Sequence, residues 1–264
     1  MTGYWEPHTS SVDFCEPNYE ASPYFAEFHN VWSSLIITFF GIFGFLYSNP
    51  TKDASVGAMY FILAVVGLGS VGLHTTLHWL LQSSDEVPML WQILSFLHVL
   101  YICKQKEIEK IDMIKIGIAF FSLAFVQTVL YYTFQQIYAV FIGSMIVYVI
   151  ILLVVTHSFL ENETDKALKS AQIKLHLWAF LYFVVFGVGV WMVDMHGCHV
   201  LMPYYLQING FTLHVFWHIF AGLGSYCLCA LLTFLRIRQL KLRPRVRWFA
   251  YFLPYCEIET SKSI

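Results

Sequence analysis

Charge is scarce in this sequence. Only 12% of its 264 residues are Asp, Glu, Lys or Arg, against about a quarter in soluble domains. Six stretches carry none: Phe28–Thr51, Ala54–Ser84, Val87–Cys103, Ile116–Leu160, Leu175–Val193 and Met195–Leu235. Crossing hydrocarbon takes roughly 20 apolar residues of helix, so these runs exclude an ordinary water-soluble domain. The first twenty positions lack a basic region followed by an apolar run. No cleavable signal is expected, and the first span serves as the insertion signal. There is no H-E-x-x-H, which argues against a soluble-type zinc protease. A net charge of -2 argues against a nucleic-acid partner.

Apolar residues make up 58% of the chain, and aromatics 18%, which suits Trp and Tyr to the membrane interface. Val87–Cys103 is a short but feasible span. Ile116–Leu160 is too long for one, and Thr133-Phe134-Gln135-Gln136 supplies a polar turn that divides it. Met195–Leu235 opens with Gly197, His199, Pro203 and Asn209, so its helix is expected to start near Thr212. The spans then total seven, and the expected fold is an all-α integral membrane protein, a seven-transmembrane-helix bundle. Residues 1–27 form a polar, acidic luminal segment. Residues 28–235 form the transmembrane bundle, and 236–264 a cytosolic tail.

Seven spans place the N-terminus and three connections on one side, and that side holds no Lys or Arg. All 15 basic residues fall on the other: Lys52, the Lys104–Lys115 group, the Lys166–Lys174 group and the tail from Arg236. The positive-inside rule makes the C-terminus cytosolic and the N-terminus luminal or extracellular. The basic half of the tail reads as a stop-transfer flank, with binding to anionic headgroups as the alternative. Cys15 and Cys198 are the only cysteines on the oxidising side and are expected to pair. The sequon Asn162-Glu163-Thr164 falls on the cytosolic side and should stay unmodified.

Two small-residue runs, Gly67-Leu68-Gly69-Ser70 and Gly222-Leu223-Gly224-Ser225, should let helices approach closely. Gly67–Gly72 also matches G-x-G-x-x-G. It sits inside a span rather than between strand and helix, so a dinucleotide site is rejected.

Polar residues within spans mark function by default. The second span carries Ser70, His74 and His78, four apart and on one face. The seventh carries His214 and His218, also four apart. The second span runs toward the lumen and the seventh away from it, so both sets reach one depth near the luminal face. Asp85 lies just beyond the second span, at that face. Three imidazoles plus water are a catalytic zinc set. The choice is His74, His214 and His218, with His78, a turn nearer the headgroups, as the alternative to His74. Asp85 is the candidate proton acceptor, and Ser70 the candidate oxyanion donor. The plainer alternatives are a Ser70 bonded to its own helix and an Asp85 that caps the third. Asp13, Glu16, Glu20 and Glu27 cluster with Asn18 near no basic residue. They make either a solvated acidic loop or a calcium site.

These residues resemble the alkaline ceramidase family, especially its phytoceramidase branch, over nearly the whole chain. The matching segments are Gly3-Tyr4-Trp5, Asp13-Phe14-Cys15-Glu16-Pro17-Asn18-Tyr19, Ala26-Glu27-Phe28, Gly67 to Ser70 with His74, Asp85-Glu86-Val87-Pro88-Met89, and His214-Val215-Phe216-Trp217-His218 with Gly222 to Tyr226. The resemblance implies hydrolysis of the ceramide amide to a sphingoid base and a fatty acid, in the endoplasmic reticulum or Golgi membrane. It implies zinc on His74, His214 and His218, and Ser70 and Asp85 as catalytic partners. It also implies calcium on Asp13, Glu16, Asn18, Glu27 and the Phe14 carbonyl, and a Cys15–Cys198 bridge. Phe14 replaces a common Trp, and His78 is an extra histidine that leaves a fourth ligand open. The expected partners are the lipid bilayer and a ceramide entering from it. Adiponectin-type receptors share the seven-helix, three-histidine plan, so a lipid-sensing receptor is the alternative. A proton-coupled transporter would leave the Cys pair and acidic loop unexplained.

Overall fold

A computed structural model describes residues 2–105 and 108–259, with only the backbone at Lys110, Glu161 and Asn162. The sequon side chain, Asn162, therefore lies outside the described residues. The helices are α1 (Phe28–Tyr47), α2 (Ala54–Thr76), α3 (Trp79–Lys104), α4 (Lys110–Phe134), α5 (Tyr138–Asn162), α6 (Lys166–Phe180), a π-helical stretch Leu181–Val188, α7 (Gly189–Gln207) and α8 (His214–Gln239). α6, the π stretch and α7 are continuous, which leaves, among the described residues, seven helical units long and apolar enough to cross a membrane.

The boundaries follow local chemistry. Asp53 caps α2 by accepting from the N–H groups of Ser55 and Val56, and Asp165 caps α6 by accepting from Ala167 and Leu168. The chain turns between α4 and α5 at Gln135 and Gln136, where the polar run suggested. α8 begins at His214, two residues past the expected Thr212.

Two boundaries differ from expectation. α3 starts at Trp79, so Asp85 sits inside this helix and does not cap it. His78 is the cap: its Nδ1 accepts from the Leu80 N–H at 3.3 Å. Helix also continues through Pro203 to Gln207. A lone proline inside a helix removes one donor, and the sixth span is long enough to tolerate that loss.

The small-residue runs are where helices touch. A Cβ at Gly67 would stand 2.4 Å from the Thr38 nitrogen of α1, and one at Gly69 1.9 Å from the Ser84 oxygen of α3. A Cβ at Gly224 would meet the Phe183 nitrogen at 2.6 Å. Only glycine permits such backbone contact. α4 and α5 turn apolar side chains outward instead, among them Phe121, Phe125, Ile146 and Val154, as lipid-facing helices do.

The tail folds. β1 (Pro244–Phe249) and β2 (Leu253–Ile258) form an antiparallel hairpin with Val246 opposite Cys256. Leu253 and Cys256 are fully buried. Tyr226 donates its hydroxyl to the Pro254 carbonyl at 2.6 Å, and the Cys256 N–H donates to Ser48 Oγ at 3.1 Å. The tail arginines are mostly paired within the protein. Arg236 binds Asp53 at 2.7 Å, Arg238 binds Glu163 at 3.1 Å, Arg243 binds Glu259 at 2.7 Å and Arg247 binds Glu257 at 3.2 Å.

Candidate metal centre

The N-terminal segment docks where α2 meets α3. Leu77 takes a left-handed conformation (φ 49°), which costs a residue with a Cβ about 1–2 kcal/mol. The turn this makes leaves only Leu77 and His78 between the helices. It also points the Leu77 carbonyl outward, where it accepts from Thr9 and Ser10 at 3.0 and 2.9 Å. Ala26 and Glu27 donate their N–H groups to the Thr75 and His74 carbonyls, both at 3.0 Å. A disulfide between Cys15 and Cys198, with Cα atoms 5.5 Å apart, ties the segment to α7.

This docking puts Glu27 beside His74. Its Oε2 lies 2.5 Å from His74 Nδ1 and also accepts from the Asn30 amide at 3.0 Å, while its Oε1 accepts from the Phe14 N–H at 3.1 Å. On the far side, Ser33 Oγ lies 2.7 Å from His218 Nδ1. Both rings thus have their outer nitrogens occupied and turn Nε2 inward, where the two Nε2 atoms stand 3.2 Å apart. His214 completes the group: one ring nitrogen from each of the three histidines lies within 4.8 Å of the others, and all three rings are buried.

A metal fits this arrangement. If Glu27 and Ser33 hold protons on both Nδ1 atoms, the Nε2 lone pairs face each other and repel unless a cation lies between them. Tetrahedral zinc at about 2.0–2.1 Å from each nitrogen sets nitrogens roughly 3.3–3.4 Å apart, close to the separation seen. His214 Nδ1 is a buried nitrogen without a partner among the described residues. The Phe14 ring covers the group, with its centroid 4.1 Å from that of His214 and 5.0 Å from that of His74.

Ser70 sits under the group, 3.5 Å from His218 Nε2 and 2.9 Å from Ser34 Oγ, which lies 2.7 Å from the Asn30 carbonyl. Asp85 faces Ser70 from α3 and is buried. The bare Gly69 lets α3 come this close. Ser70 and Asp85 therefore line one wall of the centre. His78 does not join it, because its ring caps α3.

Among the acidic residues, Glu16 caps α1, accepting from the His29 and Asn30 N–H groups at 2.7 and 2.9 Å. Asn18 donates to Asp13 at 3.1 Å, and its Oδ1 is buried without a partner. Burial is the main reason the carboxyl of Glu16 rises to about 7 and that of Glu27 to about 8; neighbouring carboxylates add to the rise, and hydrogen bonds from nearby N–H groups offset part of it.

Ser33, Ser34 and Asn30 did not emerge from the sequence reading. They are polar residues in the opening turns of the first span, at the histidines' depth. The rule that singled out the second and seventh spans would have found them.

A profile of the family described as Ceramidase matches residues 6–257. The chain is similar to an alkaline ceramidase of Arabidopsis thaliana, 28% identical over 100% of this chain and 98% of the relative. It is similar to alkaline ceramidase 3 of Mus musculus, 27% identical over 98% and 96%. It is also similar to an alkaline ceramidase of Drosophila melanogaster, 27% identical over 89% and 81%. With its seven apolar helices and buried histidine group, the chain belongs to the ceramidase family.

Proposed function

We propose that the protein is a zinc-dependent hydrolase that cleaves the amide bond of ceramides (ceramide, dihydroceramide or phytoceramide) to a sphingoid base and a free fatty acid. The observation that carries this is the inward pair of Nε2 atoms 3.2 Å apart, joined by His214. His74, His214 and His218 would hold the zinc. Zinc bound there would lower the pKa of a water to about 7 and polarise the amide carbonyl.

The remaining chemistry belongs to the chain. Asp85 accepts the proton of the attacking water and passes it to the departing amine. Ser70, held against Ser34, donates its hydroxyl to the oxyanion as the carbonyl carbon becomes tetrahedral. Glu27 and Ser33 fix the two imidazoles, as carboxylates and hydroxyls behind metal-bound histidines commonly do. The Phe14 ring keeps bulk water from the outer side.

Calcium belongs to the same reading, on Asp13, Glu16, Asn18, Glu27 and the Phe14 carbonyl. Its support is an oxygen-rich donor set, buried carboxylates whose proximity favours a cation, and the unpartnered Asn18 Oδ1. Glu27 would then serve both ions. The basic-residue asymmetry supports a luminal or extracellular setting for this face, and the family resemblance favours the endoplasmic reticulum or Golgi. A lipid-sensing receptor of the adiponectin type is not favoured, since the relatives above carry the name of an enzyme.

Asp85→Asn tests the proposal. Purified wild-type protein should contain zinc, release sphingoid base from ceramide and lose that activity to a chelator. The variant should keep its zinc and lose about 10²–10⁴-fold in kcat. Wild-type turnover by a zinc-loaded Asp85→Asn variant would discard the proposed base, and activity in zinc-free protein would discard the metal.

A further inference from the structure

One buried carboxylate beside the centre has no part in this chemistry. Asp194, on α7 one turn before Cys198, has 0% exposure. A carboxylate survives in apolar protein only if nearby groups repay its lost hydration. Three turns along the same helix, Tyr205 donates its hydroxyl to Asp194 Oδ1 at 2.9 Å. The Leu213 N–H reaches the same tyrosine oxygen at 3.4 Å. The backbone N–H groups of Leu213, His214 and Cys15 face the carboxylate. Asp194 Oδ2 itself has no partner within bonding geometry, nor do Thr212 Oγ1 and His214 Nδ1.

The first turn of a helix exposes N–H groups that need acceptors. Its positive end also favours an anion. α8 receives no side-chain cap from Leu213. Asp194 brings a negative charge to that place from a different helix.

This turn begins with His214. His74 is aimed by Glu27 on its outer nitrogen, and His218 by Ser33. The His214 ring packs against Phe14, His74 and His218, and its Nδ1 has no hydrogen bond among the described residues. Its aim therefore depends on where the backbone of the turn is held. We propose that Asp194, with Tyr205 as its arm, is a positioning residue that holds the start of α8 so that His214 faces the other two histidines. The inference rests on zinc binding by the three histidines.

The test uses full-length protein in detergent, comparing Asp194→Asn and Tyr205→Phe with wild type. Zinc affinity is measured by chelator competition, and melting temperature with and without zinc. Asp194→Asn keeps the side chain's shape and removes its charge. It should bind zinc about 10–100-fold more weakly. Tyr205→Phe should shift affinity the same way by less, with an unchanged zinc-free melting temperature. Equal melting losses with and without zinc, at wild-type zinc affinity, would reduce Asp194 to a structural role and overturn the inference. If Asp194→Asn does not fold, Tyr205→Phe decides alone: wild-type affinity refutes and weakened affinity supports. Wild-type protein that takes up no zinc would bring down the zinc reading and this inference together.

Discussion

Adding one methyl group at Gly69 should separate the two halves of the proposed catalytic wall. The new Cβ would fall 1.9 Å from the Ser84 oxygen, 2.4 Å from its carbonyl carbon and 2.7 Å from the Asp85 nitrogen. All three are backbone atoms, so no side chain can swing aside. Reaching even 3.0 Å from the Ser84 oxygen requires α2 and α3 to part by at least ~1.1 Å. Asp85 rides on that backbone, while Ser70 and His74 stay with α2. A misplacement of about 1 Å costs roughly 10²-fold in rate, and overpacking costs about 1–3 kcal/mol of stability. Gly69→Ala should therefore lower kcat about 100-fold and lower the melting temperature, with zinc content unchanged because the histidines lie on α2 and α8. Gly72→Ala is the control: its Cβ would meet only the Leu81 side chain at 3.4 Å, and activity should stay near wild type. Purified variants are compared by release of sphingoid base, metal content and thermal melting. If Gly69→Ala turns over like wild type, the close approach of α3 does not place Asp85, and the reasoning fails.

Ser33→Ala removes the partner of His218 Nδ1 and should weaken zinc binding about 10–100-fold, read by chelator competition; unchanged affinity would mean the ring is aimed by packing alone. Cys15→Ser releases the N-terminal segment from α7 and should cost about 2–4 kcal/mol, seen as a lower melting temperature that reductant no longer shifts. Arg236→Ala leaves the partly buried Asp53 without its 2.7 Å partner and should cost at most about 3 kcal/mol, since Asp53 keeps its bonds to the start of α2; Arg236→Ala with Asp53→Asn should recover part of the loss, and equal melting of the two variants would deny the coupling.

Much of this was legible in the sequence because the membrane leaves few options. An ion-free run must be a helix with its backbone satisfied internally, so the spans and the Gln135-Gln136 turn could be read directly. The shared depth of His74, His214 and His218 follows from span direction alone. Other features depended on contacts between distant segments. A left-handed Leu77 carries no composition signal, so the early start of α3 stayed hidden and a helix cap remained an alternative to proton acceptor for Asp85. Glu16 and Glu27 read as part of either an acidic loop or a calcium site, and their contacts with helix N–H groups and an imidazole could not be seen from the sequence. Ser33 looks like any small residue in a span until α1 packs against α8. The tail read as a basic flank because its pairing with Glu257 and Glu259 exists only once the hairpin forms, and that with Glu163 only once α5 packs near the end of α8.

That hairpin bears on how the chain is handled. Leu253 and Cys256 fill the end of the bundle, the Cys256 N–H donates to Ser48 on the first connection, and the Pro254 carbonyl accepts from Tyr226 on the last helix. The interior is thus unfinished until the last strand arrives, after every helix has been threaded. A shortened version ending soon after Gln239 would keep all seven crossings and both halves of the proposed catalytic wall. It would also leave a hole lined by unsatisfied hydroxyls at the opposite end, so purification tags belong beyond Glu259 and not in place of the strands.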